Sequence, residues 1–286
     1  MTPAVQTFFD KATSTATYLV VDPATKTAAI IDPVLDYEPT AARLSTASAD
    51  IVLEAVRAQG LQLAYVLETH AHADHLSAAG YIRRQTGAAI VIGAEITRVQ
   101  KVFIPLFEAE DLSPDGGAFD RLLAEGDTLP LGELSIRNMH TPGHTPACVT
   151  YLIADAAFVG DTLFMPDYGT ARADFPGGDA AELYRSIQKI LALPPTTRIF
   201  VGHDYLPPGR TEFRWETTVA EQRSDNVHVH QGVTEAGFVS MRQARDATLP
   251  PPTLILPALQ VNIRGGELPA PTKTGRVFLK LPVTMV

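Results

Sequence analysis

A layered α/β architecture is expected for this chain, on three grounds. Between Ala49 and Ile92 short apolar runs alternate with helix-like stretches, and alternating strands and helices are how stacked sheet and helix layers read. Farther along, apolar runs repeatedly end in Gly and then a ligand-type residue, at Gly143-His144, Gly160-Asp161 and Gly202-His203. Strand ends of this kind are where α/β sheets carry their sites. Between them, Asp179 to Leu193 sets Leu183, Ile187, Ile190 and Leu191 on one side of a helix, the stripe a helix needs to lie on a sheet.

Taken in order, Thr17 to Val21 and Ala28 to Ile31 read as strands joined by the polar turn Asp22 to Lys26, with Asp32-Pro33 ending the second. Ala49 to Gly60 has helical spacing at Ile51, Leu53 and Val56 and stops at the glycine. Leu63 to Leu67 is a short buried strand, Leu76 to Gln85 a helix with Gly87 just past its end, and Ala88 to Ile92 another strand. Glu95 to Asp127 is less regular, with Pro105 interrupting Phe103 to Phe107 and a turn at Asp115-Gly116-Gly117. A long irregular segment is either a wall of a site or a surface insertion.

Leu134 to Met139 alternates as a strand and runs into a turn set by Pro142, Gly143 and Pro146. Strands Cys148 to Ile153 and Ala157 to Val159 follow, then the 179–193 helix and a strand from Arg198 to Val201. Glu212 to Arg223 and Glu235 to Thr248 read as helices, and Pro250-Pro251-Pro252 breaks the chain. Pro257 to Val286 is rich in Pro and Gly, with strand-like pieces at Gln260 to Ile263 and Arg276 to Leu281. Residues 1–215 are expected to form the main domain, and 216–286 an extension packed on it.

At 286 residues and 45% apolar, the chain can build a sizeable core. A net charge of −9 argues against a nucleic-acid partner. One cysteine, Cys148, excludes an internal disulfide and fits a reducing compartment. It reads as a small buried apolar residue opening a strand. The start of the chain lacks a basic and then apolar leader, and no run approaches the roughly 18 apolar residues of a membrane span. A cytoplasmic protein without membrane or nucleic-acid partners is expected, as a homo-oligomer (dimer or tetramer).

The strongest functional signal is Thr69-His70-Ala71-His72-Ala73-Asp74-His75, directly after the Leu63 to Leu67 strand. A loop can aim several side chains at one point, and imidazole and carboxylate are good ligands for Zn, Fe and Mn. His144, Asp161 and His203 supply the downstream partners. His140, His228 and His230 fall outside this pattern and read as structural or solvated.

His70-x-His72-x-Asp74-His75 with His144, Asp161 and His203 resembles the metallo-β-lactamase superfamily over about residues 15 to 215. The resemblance implies a four-layer αββα sandwich, with the metal site at one edge of the two sheets and a C-terminal extension. Asp161 stands where the β-lactamases proper commonly have Cys, and His72 where flavodiiron proteins have Glu. The remaining similarity is to the glyoxalase II and persulfide dioxygenase branch. Within it, Thr141 to Thr150, Gly169 to Phe175 and Gly202-His203-Asp204-Tyr205 look like persulfide dioxygenase of the bacterial β-lactamase-like hydrolase type. Ala173 stands where such relatives often have Cys.

Two arrangements use the same residues. Two Zn(II) ions could be held by His70, His72 and His144 and by Asp74, His75 and His203, with Asp161 bridging; this suits hydrolysis of a glutathione thioester or a lactone. The persulfide dioxygenase resemblance implies instead one Fe(II) on His70, His144 and Asp161, with His72, Asp74, His75 and His203 orienting ligands and waters. Its substrates would be glutathione persulfide and O2. Because the chain as a whole repels anions, local cations must attract the thiol peptide. Arg172 leads the candidates, with Tyr205 and Arg214 next and Arg210 also near the ligand-bearing segments. A non-catalytic sensor of sulfur or metal is disfavoured by the complete ligand set.

Overall fold

The computed structural model describes residues 2–284. Two six-stranded sheets face each other. The first has the order β1-β2-β3-β6-β8-β9, from β1 (Ala4–Asp10), β2 (Thr15–Val21), β3 (Thr27–Ile31), β6 (Gln62–Leu67), β8 (Ala89–Gly93) and β9 (Arg121–Leu123). The second has the order β10-β11-β12-β13-β14-β15, from β10 (Thr128–Leu131), β11 (Leu134–His140), β12 (Val149–Ile153), β13 (Ala156–Phe158), β14 (Arg198–Phe200) and β15 (Glu216–Thr218). A small third sheet joins β4 (Val34–Glu38), β5 (Arg43–Ser45) and β7 (Leu76–Ser77).

Strand alternation assigns the layers. In β2, Tyr18 and Val20 enter the core between the sheets, while Leu19 and Val21 face the other way. In β14, Phe200 points between the sheets and Ile199 outward. The inner core stacks Tyr18, Phe158 and Phe200, with the Phe158 and Phe200 rings 4.9 Å apart. Outside the first sheet pack α1 (Ala47–Ala58), α2 (Ala79–Thr86), α3 (Ile96–Leu106) and α7 (Ile255–Asn262). Outside the second lie α4 (Ala180–Leu191), α5 (Val219–Asp225) and α6 (Glu235–Asp246). The result is an αββα sandwich. Strands such as β3 and β8 are buried on both faces, which is why they read as unbroken apolar runs.

Five local expectations are corrected. Leu76–Ser77 is a strand paired with Val34 and Leu35, so α2 starts at Ala79 rather than Leu76. The 95–127 stretch holds α3 and the edge strand β9, and Pro105 is tolerated in the last turn of the helix. Residues 212–223 split into β15 and α5, divided by a capping box of Thr218 and Glu221. Gln260 to Asn262 belongs to α7. Pro257 sits in its first turn, where a missing N–H costs no helix bond. Arg276 to Leu281 carries no regular element. Among the described residues no helix is long and apolar enough to cross a membrane.

Candidate metal centre

Strand directions bring the ligand-type residues to one edge. β13 is antiparallel to β12, which is antiparallel to β11, and β13 is parallel to β14. The C-terminal ends of β11, β13 and β14 therefore share an edge, and they lead to His144, Asp161 and His203. In the first sheet β3 and β6 are parallel, so Asp32 and the His70–His75 loop leave together. Backbone bonds stitch the two edges: Val149 N–H donates to the Thr69 carbonyl at 2.9 Å and Ala16 N–H to the Gly202 carbonyl at 2.9 Å.

The His144 turn is fastened to α4. Asp179 caps that helix, donates its N–H to the Gly143 carbonyl, and Ser186 donates to the Pro142 carbonyl. Gly143 has φ +131°, and a β-carbon there would meet the Leu183 backbone at 2.2 Å. Gly202 is needed for a different reason, since its β-carbon would fall 2.7 Å from Asp161 Oδ1.

All seven predicted ligand-type residues come together. One ligand atom each of His70, His144 and Asp161 lies within 4.8 Å of the others, and the same holds for the set His72, Asp74, His75 and His203. The sets adjoin, with His203 Nε2 3.3 Å from Asp161 Oδ1 and 3.1 Å from Asp74 Oδ2. Six of the seven residues are buried, and Asp74 is partly exposed. His70 Nε2, His75 Nε2, His203 Nε2, Asp74 Oδ2 and Asp161 Oδ1 are buried without a hydrogen-bond partner. Leaving so many polar atoms unpaired is costly, and a metal ion is the group whose coordination would satisfy them. Burial also holds His70 and His72 well below the usual imidazole pKa, hence neutral and ready to coordinate.

Outer contacts orient these rings. His70 Nδ1 meets Thr69 Oγ1 at 3.1 Å, and Thr69 donates its N–H and hydroxyl to Asp32 at 2.7 and 2.8 Å. His144 Nδ1 donates to the Arg172 carbonyl at 2.8 Å. His203 Nδ1 lies 3.2 Å from the Ser14 carbonyl. His72 Nε2 is 3.1 Å from Asp32, whose carboxyl is pushed up to about 6 by burial. Asn262, at the end of α7, donates to the His72 and His75 carbonyls at 2.8 Å each.

Asp32 and Asn262 were not among the residues singled out from sequence. Asp32 carries the same signal as the chosen ones, a polar residue directly after an apolar strand. Asn262 carries none, because only the fold brings it to the loop.

A cavity of about 610 Å³ opens onto His144, Asp161 and Asp74. Phe164, Tyr168, Tyr205, Leu249 and Leu254 form much of its apolar wall, and no residue of 95–127 lines it. Tyr205 stacks on His203 with ring centroids 5.5 Å apart. Arg172 is in the wall, but its guanidinium is engaged by Asp174 at 2.5 and 2.7 Å and by the Pro250 carbonyl at 2.7 Å. Arg214 lies outside the cavity, exposed and 3.6 Å from Asp167. Arg210 is bound by Asp204 and Asp167.

Cys148 is buried, and its thiol is pushed up to about 12, chiefly by that burial. Ala173 is buried in the core of the second sheet. His140 bonds the Pro146 carbonyl and His228 accepts from the Thr170 N–H, while His230 is exposed.

The family model of the metallo-beta-lactamase superfamily matches residues 11–203. A probable metallo-hydrolase of Burkholderia pseudomallei is 55% identical, with 99% of each chain covered. The chain spans 65% of the length of a beta-lactamase hydrolase-like protein of Xylella fastidiosa, 52% identical to it over 99% of this chain. The mitochondrial persulfide dioxygenase ETHE1 of Homo sapiens is 32% identical, covering 90% of this chain and 87% of its own. The crystal structure of ETHE1 from Myxococcus xanthus superposes with a TM-score of 0.74 at 32% identity, covering 92% of this chain and 100% of that one. With the fold, the clustered histidines and aspartates and these matches in agreement, the chain belongs to the metallo-beta-lactamase superfamily.

Proposed function

We propose that the chain is a persulfide dioxygenase, holding one Fe(II) on His70, His144 and Asp161. The reaction is GSSH + O2 + H2O giving GSH, sulfite and two protons. The S–S bond breaks, the terminal sulfur is oxidised by four electrons, and O2 takes up those four. The observation that carries the reading is that His70, His144 and Asp161, two imidazoles and one carboxylate, bring one ligand atom each within 4.8 Å of one another, with His144 and Asp161 lining the cavity. The 32% identity to named persulfide dioxygenases supports it.

Held by these three residues, Fe(II) would supply the chemistry that lets O2 react with a persulfide sulfur. The chain's own groups do the rest. Thr69 and the Arg172 carbonyl hold the Nδ1 sides of His70 and His144, which leaves each Nε2 facing the site. Phe164, Tyr168 and Tyr205 line the approach with aromatic surface that limits water. With Cys148 buried and held as a thiol, and Ala173 carrying no sulfur, the persulfide comes from the substrate alone. A cytoplasmic location and a homo-oligomeric state belong to the same proposal.

A zinc-dependent hydrolase of glutathione thioesters or lactones is the second reading. It is favoured by the adjacency of all seven ligand-type residues and by the hydrolase names of the 55% and 52% identical relatives. An oxygen electrode separates the two. Adding glutathione persulfide should consume O2 and form sulfite in equal amounts. Release of thiol from a glutathione thioester, with no O2 uptake on persulfide, would instead identify the hydrolase.

A further inference from the structure

Five cavity-lining residues carry a formal charge: Asp74 and Asp161 at the metal end, and Arg172, Arg242 and Arg245 elsewhere in the wall. Two of the arginines are already satisfied. Arg172 is gripped by Asp174 and the Pro250 carbonyl. Arg242 is paired with Asp246 at 2.6 Å and donates to the Thr170 carbonyl. Arg245, in the last turn of α6, makes no side-chain hydrogen bond or ion pair among the described residues.

Its neighbours offer no counter-charge. Both oxygens of Asp246 are taken, by Arg242 and by the Ala173 N–H. The adjacent His228 is held neutral, its pKa brought down to about 4 by burial first and then by Arg242 and Arg245. In a chain of net charge −9, an uncompensated guanidinium in the wall is the local cation that an anionic substrate requires.

Its placement relative to the metal end is also set. α6 docks on the 170–173 segment through Arg242 to Thr170 and Asp246 to Ala173. That segment's Arg172 carbonyl holds His144. One loop therefore separates Arg245 from the metal ligands.

We propose that Arg245 forms a carboxylate-binding subsite of this cavity, taking the carboxylate end of a small thiol peptide whose sulfur reaches the His144 and Asp161 end. The inference rests on the glutathione part of the reading above, not on its iron chemistry. A guanidinium meets a carboxylate through two parallel N–H donors, so neutralising the carboxylates should abolish the contact.

The test is calorimetric titration of the purified, metal-loaded protein with glutathione and with its diethyl ester. Wild type should bind glutathione about tenfold to a hundredfold more tightly than the ester. Arg245→Ala and Arg245→Gln should lose that preference at unchanged metal content and melting temperature, and Arg245→Lys should keep part of it. Variants that still discriminate as wild type does, or a wild type that binds both ligands equally, would overturn the proposal. The readout needs no turnover. A protein that takes up no O2 yet shows Arg245-dependent preference would refute the dioxygenase reading and leave this one standing.

Discussion

Asp161→Ala is expected to lose metal and turnover together, by more than about a hundredfold, the upper end of what removing an outer partner costs. Asp161 is the single carboxylate of its set, buried, with Oδ2 3.7 Å from His144 Nε2 and Oδ1 without a hydrogen-bond donor. Removing it leaves two imidazoles, one carboxylate short of a facial triad. His203→Ala should behave differently. In the mononuclear arrangement His203 lies beside Asp161 rather than on the metal, so most of the iron should stay while activity falls about 10–100-fold. Metal analysis and kinetics on both variants check this. Equal emptying of the site by the two substitutions would mean that His203 is a ligand, as the two-metal arrangement requires.

Arg242→Ala should be the most damaging substitution away from the metal. Arg242 is 1% exposed and its guanidinium is paired with Asp246, itself 5% exposed. Taking one partner from a buried pair strands the other charge and costs about 3–5 kcal/mol. At about 2–4 °C per kcal/mol in a large domain, the loss should be plain in a thermal melt. Because the pair fastens α6 to the 170–173 segment that holds His144, metal affinity should fall with stability. The double variant Arg242→Met with Asp246→Leu should recover only part of the melting temperature: it removes the stranded charge but leaves the Ala173 N–H and the Thr170 carbonyl without the partners they have in wild type. A single variant that melts within a degree or two of wild type would contradict this account of α6.

The site was legible in sequence because each ligand-type residue follows a strand end, so spacing alone placed it on a loop. Its supports were less so. Asn262 reaches His72 and His75 from the far end of the chain, and no local pattern marks such a contact. The substrate side was harder still. Arg172 stood out by its closeness to Asp161 in sequence, but proximity along the chain does not reveal that Asp174 and Pro250 occupy its donors.

In the fold, the strands buried on both faces were visible as apolar runs. β1 was not, since it is an edge strand exposed or half-buried along its length. α3 was hidden by Pro105, although Ile96, Val99 and Phe103 keep helical spacing and are buried.

Metal identity and stoichiometry, measured on protein grown without added metal, test the central claim most directly. With His70, His144 and Asp161 as the only ligands, about one iron per chain is expected, and activity should track iron content from one preparation to the next. Two zincs per chain, with no iron and no gain in persulfide oxidation when Fe(II) is added, would contradict it.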